Sequence, residues 1–149
     1  MNWKLIILGG LAFYVVMFII SIPSGMLIHN GVLDAPYRAN SEFWRPELNQ
    51  EPPDMAALMP RWIASGLIGS FIIAGVYGVI RSSFSGDGWL KGAKYGLVLF
   101  LIGISLALGW SGVFNLPDEI WVWWTLESLF YFLVGGMALG WFADKYAAD

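Results

Sequence analysis

Residues 5–28 read L-I-I-L-G-G-L-A-F-Y-V-V-M-F-I-I-S-I-P-S-G-M-L-I, an apolar run without one charged side chain. A hydrocarbon core about 30 Å thick is crossed by about 20 helical residues, so this run is long enough to span a bilayer. Working outward, three more stretches qualify, at about 56–80, 93–114 and 120–143. The whole chain of 149 residues is 58% hydrophobic and 13% charged, against about 25% charged in an ordinary soluble domain. Mean hydropathy is +0.64. Lipid offers no partner to an open backbone N–H or C=O, and the alternating strands of a barrel are absent, so the spans are helices. The sequence predicts an all-α integral membrane protein, with four transmembrane helices in one bundle forming a single membrane domain over 1–149 and a long first outer loop at about 30–55.

Orientation follows from Lys and Arg. Lys4, Arg81, Lys91, Lys94 and Lys145 fall on the side of the termini and middle loop, while Arg38, Arg45 and Arg61 fall on the other. The positive-inside rule then places both termini in the cytoplasm. The first span is longer than a signal-peptide core, follows a single Lys and precedes no small-residue cleavage site, so it reads as a retained anchor.

Composition also excludes functions. With a net charge of -3 and basic residues spread singly, nothing forms a phosphate-neutralising patch, and nucleic acid is not an expected partner. Zero cysteines rule out disulfides, thiolate metal sites and thiol catalysis. One His with scattered carboxylates lacks metal-ligand spacing. No catalytic, cofactor or nucleotide motif occurs, so no enzyme activity and no metal are expected. Cofactors stay unassigned, and lipid contacts are expected.

Glu127 is the most informative position, because an ionisable group inside the fourth span costs a few kcal/mol and marks a functional site by default. Arg61 sits at similar depth in the second span, and His29 closes the first. The three are expected to converge near the outer end. Such a cluster reads as a structural Arg–Glu pair with His29 capping a helix, as a proton relay using Glu127 and His29, or as a clamp for an anion or lipid headgroup around Arg61 and His29. Two further patterns stand out. Ser65 with Gly69, and Gly136 with Gly140, give the small-xxx-small spacing that lets membrane helices approach closely. Tyr37, Phe43, Trp44 and Arg45 mark the outer loop as an interaction surface, since such rings prefer an interface or a partner. Pro23 removes a backbone donor inside the first span and is expected to kink it.

The run G-M-L-I-H-N-G-V-L at 25–33, Tyr37, F-W-R-P-E at 43–47, M-P at 59–60 and G-D-G-W-L-K-G-A-K-Y-G-L at 86–97 resemble a group of small uncharacterised bacterial four-span proteins. That resemblance implies a bacterial inner-membrane location and no reaction. It groups His29, Tyr37, Trp44 and Arg45 into one outer-face motif; Glu127 has no counterpart placed in that group. Two functional expectations follow from the sequence. The first is a non-enzymatic accessory subunit that packs against a larger membrane-protein complex or forms a homo-oligomer. The alternative is a small oligomeric transporter or proton-coupled carrier that uses the intramembrane Glu.

Overall fold

The structure is a computed structural model that describes residues 2–147, and these are helical with no strand. Four helices are long and apolar enough to cross a membrane: Leu5–Val32, Met55–Ser83, Gly88–Ser111 and Asp118–Tyr146. In the first, the α-helical centre α1 (Gly10–Ser24) is flanked by wider π-helical segments, Leu5–Gly9 and Gly25–Val32. A short α2 (Asp34–Ala39) follows, then two 3-10 turns, Ser41–Phe43 and Pro46–Asn49. The remaining long helices are α3 (Met55–Ile80), α4 (Gly88–Ser111) and α5 (Asp118–Tyr146).

These bounds differ from the expected spans in instructive ways. The first helix runs four residues past Ile28, because π winding carries the chain beyond the donor lost at Pro23. The third begins at Gly88 rather than near 93, since its glycine-rich opening turns are packed against α5 instead of lying in a solvated turn. The long connector is folded into short helical pieces. Asp54 closes it by accepting from the Ala57 N–H at 3.1 Å, an N-cap that satisfies one open donor of α3.

α1 packs against both α3 and α5, and α4 lies along α5. Both chain ends meet at one end of the molecule, the terminal end: the Asn2 side chain reaches the Ala147 carbonyl at 3.4 Å, and Arg81 donates to the same carbonyl at 3.1 Å. The opposite end carries α2 and the 3-10 turns and is termed the loop end.

The main buried cluster lies in the terminal half, where Leu5, Phe13, Ala74, Tyr77, Tyr95, Leu139 and Ala143 are almost wholly covered, while Leu33, Leu58 and Ile120 are buried at the loop end. Tyr95 ties α4 to α3 by donating to the Ile73 carbonyl at 2.8 Å, and its ring lies 5.2 Å from that of Tyr77. Here α4 and α5 touch backbone to backbone. Gly88, Gly92 and Gly96 face Gly136 and Gly140, and a Cβ on Gly140 would stand 2.7 Å from the Gly92 Cα. Only hydrogen side chains fit this seam. Gly136 and Gly140 therefore do pack a helix interface. Ser65 and Gly69 do not: Ser65 is exposed, and a Cβ on Gly69 would meet nothing within 4 Å. The α3 glycine that receives α1 is Gly66, against the Tyr14 ring.

Gly92→Ala and Gly136→Ala are each expected to cost about 1–3 kcal/mol, the usual scale of forced overpacking. Gly69→Ala should leave stability within about 0.5 kcal/mol of wild type or raise it, as at other unpacked helical sites. Denaturant titration in detergent measures both, and equal losses at positions 69 and 92 would contradict the seam.

Candidate functional site

The loop half gathers its polar side chains onto one carboxylate. Glu127 lies on α5, and its side chain is 10% exposed. Three donors reach it. Ser24 donates its hydroxyl to Oε1, Tyr131 donates to the same oxygen at 2.9 Å, and His29 Nε2 stands 3.1 Å from both carboxylate oxygens. Tyr131 follows Glu127 by one helical turn and so shares its face. Ser24 and His29 are five residues apart, a spacing that an α-helix of about 3.6 residues per turn puts on different faces. The π winding of Gly25–Val32, sealed by the Leu33 N–H to Ile28 carbonyl bond at 2.8 Å, closes one turn in five residues and aims both side chains at α5.

The chain of hydrogen bonds continues into the connector. His29 Nδ1 lies 2.7 Å from the Tyr37 hydroxyl, and the Trp124 indole N–H donates to that hydroxyl at 2.7 Å. An indole N–H is a donor only. Tyr37 therefore accepts from Trp124. An ionised carboxylate only accepts, so Nε2 carries the imidazole proton toward Glu127, and in that neutral tautomer Nδ1 accepts the Tyr37 hydroxyl proton. Trp44 secures Tyr37 by donating to its backbone carbonyl at 2.8 Å and by packing edge-on, with ring centroids 4.9 Å apart. Burial raises the Tyr37 phenol above its ordinary value of 10.0, the Trp124 hydrogen bond works against that shift, and the negative charge of Glu127 adds to it.

Two openings flank this network. Between α1 and α5, an apolar groove of about 270 Å³ is walled by Ile20, Pro23, Leu27, Leu126 and Phe130, with Ser24 and Glu127 as its polar members. On the other side of α5, an aromatic cavity of about 530 Å³ lies between α4, α5 and the connector.

The structure thus brings together two of the three residues expected to converge, His29 and Glu127, and leaves Arg61 aside. Arg61 is exposed on α3, and the carboxylate it acts on is Glu47, whose ionised form is favoured first by its own backbone N–H, then by the Arg45 side chain, with Arg61 contributing its field. α3 packs on α1 rather than α5, which carries Arg61 away from Glu127. Of the loop residues, Tyr37 and Trp44 join the network, Phe43 lines the aromatic cavity, and Arg45 pairs with Glu47 at 3.1 Å on the exposed surface. Ser24, Trp124 and Tyr131 are the contributors not anticipated as site residues. Their helical spacings to Glu127 on α5, three before and four after, carried a signal for Trp124 and Tyr131. Among the described residues no group of His and carboxylates is placed to hold a metal ion.

Compared with known proteins, the chain matches no family model, no curated protein and no solved structure, so the site is read from its geometry.

Double-mutant cycles separate the two pairings. His29→Ala and Glu127→Ala should couple by about 0.5–3 kcal/mol, whereas Arg61→Ala and Glu127→Ala should add within about 0.5 kcal/mol. Coupling of Arg61 with loss of coupling at His29 would reverse the assignment. Alkaline absorbance titration offers a second check. With its folded value raised, Tyr37 contributes stability that is fully present below pH 10.0 and is lost as pH rises through the folded value. The difference spectrum between wild type and Tyr37→Phe should show one phenol ionising above pH 10.0.

Proposed function

We propose that this chain is a proton-coupled membrane carrier of small size, non-enzymatic, whose exchange site is Glu127 fed through His29 and Tyr37. The carrying observation is that His29 contacts the Tyr37 hydroxyl through one ring nitrogen and the Glu127 carboxylate through the other. Each proton movement along that line is a short transfer. A proton arriving from water at the Tyr37 oxygen releases the tyrosine proton to His29 Nδ1. The imidazole then gives its Nε2 proton to Glu127, which becomes neutral, and rotation of the ring, which carries the remaining N–H back toward Glu127, restores the starting tautomer. No net bond is made or broken beyond relocation of one proton.

The surroundings suit such a task. Glu127 lines the α1–α5 groove, so its charged form faces apolar side chains there and its neutral form suits them better. π-helical turns recur at functional sites, and here one carries His29 and begins directly after Ser24. In this reading the four helices form one bundle in a bacterial inner membrane, with the loop end outside and both termini in the cytoplasm. Four spans enclose little volume, and the carrier would work as an oligomer. The accessory-subunit reading keeps one specific support: on one face of α3, Ser65 is exposed and a Cβ on Gly69 would meet nothing within 4 Å among the described residues. The same face would serve either for self-association or for docking on a larger complex.

Dicyclohexylcarbodiimide, an apolar reagent that attacks protonated carboxyl groups, tests the exchange site in membranes. Labelling mapped by mass spectrometry is expected at Glu127, increasing as pH falls, and absent in Glu127→Gln. Tyr37→Phe should slow proton uptake into vesicles driven by a potassium diffusion potential by about tenfold or more, within the range a positioned proton-transfer group supplies. A Glu127 that stays unlabelled at every pH, with uptake unchanged in Glu127→Gln, would leave the accessory-subunit reading.

A further inference from the structure

The aromatic cavity has a construction that the proton path does not use. Its walls include Trp44 from the connector, Trp110 and Phe114 from the far end of α4 and its turn, and Trp121 and Trp124 from α5. Three of the indoles form successive corners. Trp44 meets Trp124 at 69° with centroids 6.2 Å apart, and Trp124 meets Trp121 at 78° and 5.5 Å. Trp110 and Phe114, also in the lining, lie nearly parallel, at 27° and 5.5 Å. Rings set at right angles to one another present π faces in several directions around one space. That is the form of an aromatic cage, in which the negative faces of the rings attract a cation that has little hydration to lose.

Charge points the same way. No Lys, Arg or His lines the cavity. The connectors at this end carry seven Asp and Glu, Asp34, Glu42, Glu47, Glu51, Asp54, Asp118 and Glu119, against Arg38, Arg45 and Arg61. Two of these carboxylates, Asp118 and Glu119, occupy the first turn of α5 just ahead of Trp121. The loop end as a whole thus carries an excess of negative charge while the cavity walls are apolar, a combination that attracts a cation and favours one clothed in hydrocarbon. The volume of about 530 Å³ lies inside the range of pockets that enclose small organic ligands.

We propose that this cavity binds a lipophilic organic cation of the quaternary or tertiary ammonium class. The inference rests on the carrier reading above in that it names the cargo class, with the cation moving against the proton held at Glu127. Trp124 belongs to both sites: its ring is a cavity wall, and its N–H holds Tyr37.

The test is calorimetric titration of the full chain in lipid nanodiscs with benzyltrimethylammonium and with its uncharged carbon isostere, neopentylbenzene. Saturable binding of the cation is expected, at least tenfold tighter than the isostere. Trp110→Leu and Trp121→Leu should each weaken it about tenfold or more, while Trp141→Phe, on the exposed surface of the terminal half, should bind as wild type. Trp121→Phe guards against a misfolded variant. It keeps a ring and removes an indole N–H that is buried without a partner, so it should fold and retain most of the affinity. Equal affinity for cation and isostere, or no saturable binding of the cation, would overturn the proposal. Its failure is separable from that of the carrier reading: carbodiimide labelling of Glu127 without cation binding removes the cargo class alone, whereas cation binding without labelling leaves the cage and removes the proton exchange.

Discussion

A carboxylate at hydrocarbon depth is the constraint from which the loop half of this molecule follows. Left without donors, Glu127 would carry a cost of several kcal/mol, so polar groups must come to it. Its own helix supplies Tyr131 one turn away, and the first long helix, Leu5–Val32, supplies Ser24 and His29. Having two donors from that helix requires it to lie against α5 at this end, and it requires a winding that presents residues five apart on one side. The π segment Gly25–Val32 meets that requirement. His29 then has a second ring nitrogen to satisfy, and Tyr37 satisfies it while accepting from Trp124. With Trp44 holding the Tyr37 carbonyl, the connector is drawn down onto α5. The conformation of a segment rich in Pro and Asn is thus set by the bonding needs of one buried side chain.

The terminal half answers a different constraint. Apolar burial gives little drive for helices to associate within lipid, because the tails are as apolar as the side chains they would replace; close packing has to supply it. Glycines at 88, 92 and 96 against 136 and 140 let the two backbones approach to contact distance. Further along the same pair, the facing positions hold Trp110 on one helix and Trp121 and Trp124 on the other, and a cavity separates them. One helix pair is therefore tight where its residues are smallest and open where they are largest.

Much of this was legible in the sequence, for reasons that differ by feature. The four helices were readable because bilayer thickness imposes a length and a composition that few other structures share. Glu127 and His29 were readable because polar groups in such runs are rare. The spacing of Gly136 and Gly140 was legible, but their partners Gly88, Gly92 and Gly96, although they share the four-residue period, were not, because Gly86-Asp87-Gly88 signals a turn. Arg61 as the partner of Glu127 was the error. Depth along a helix can be counted from sequence, but which helix neighbours which cannot, and α3 lies against α1. The joint aim of Ser24 and His29 was hidden as well, since a 3.6-residue period separates them and only the π turn unites them.

Trp124 is where the two sites of the loop half meet. Its N–H donates to the Tyr37 hydroxyl, which contacts the His29 ring nitrogen opposite the one facing Glu127. Its ring closes one corner of the aromatic cage. Under the proposed carrier and cage readings, an occupant that shifts this ring withdraws the donor from Tyr37, whose hydroxyl is then free to turn. By linkage the effect runs both ways: protonation of Glu127 must alter the affinity of the cage by the same factor that occupancy of the cage alters the affinity of Glu127 for its proton. Coupling of cargo to proton in a chain this small needs no large rearrangement. It needs one side chain with a polar edge in one site and an aromatic face in the other.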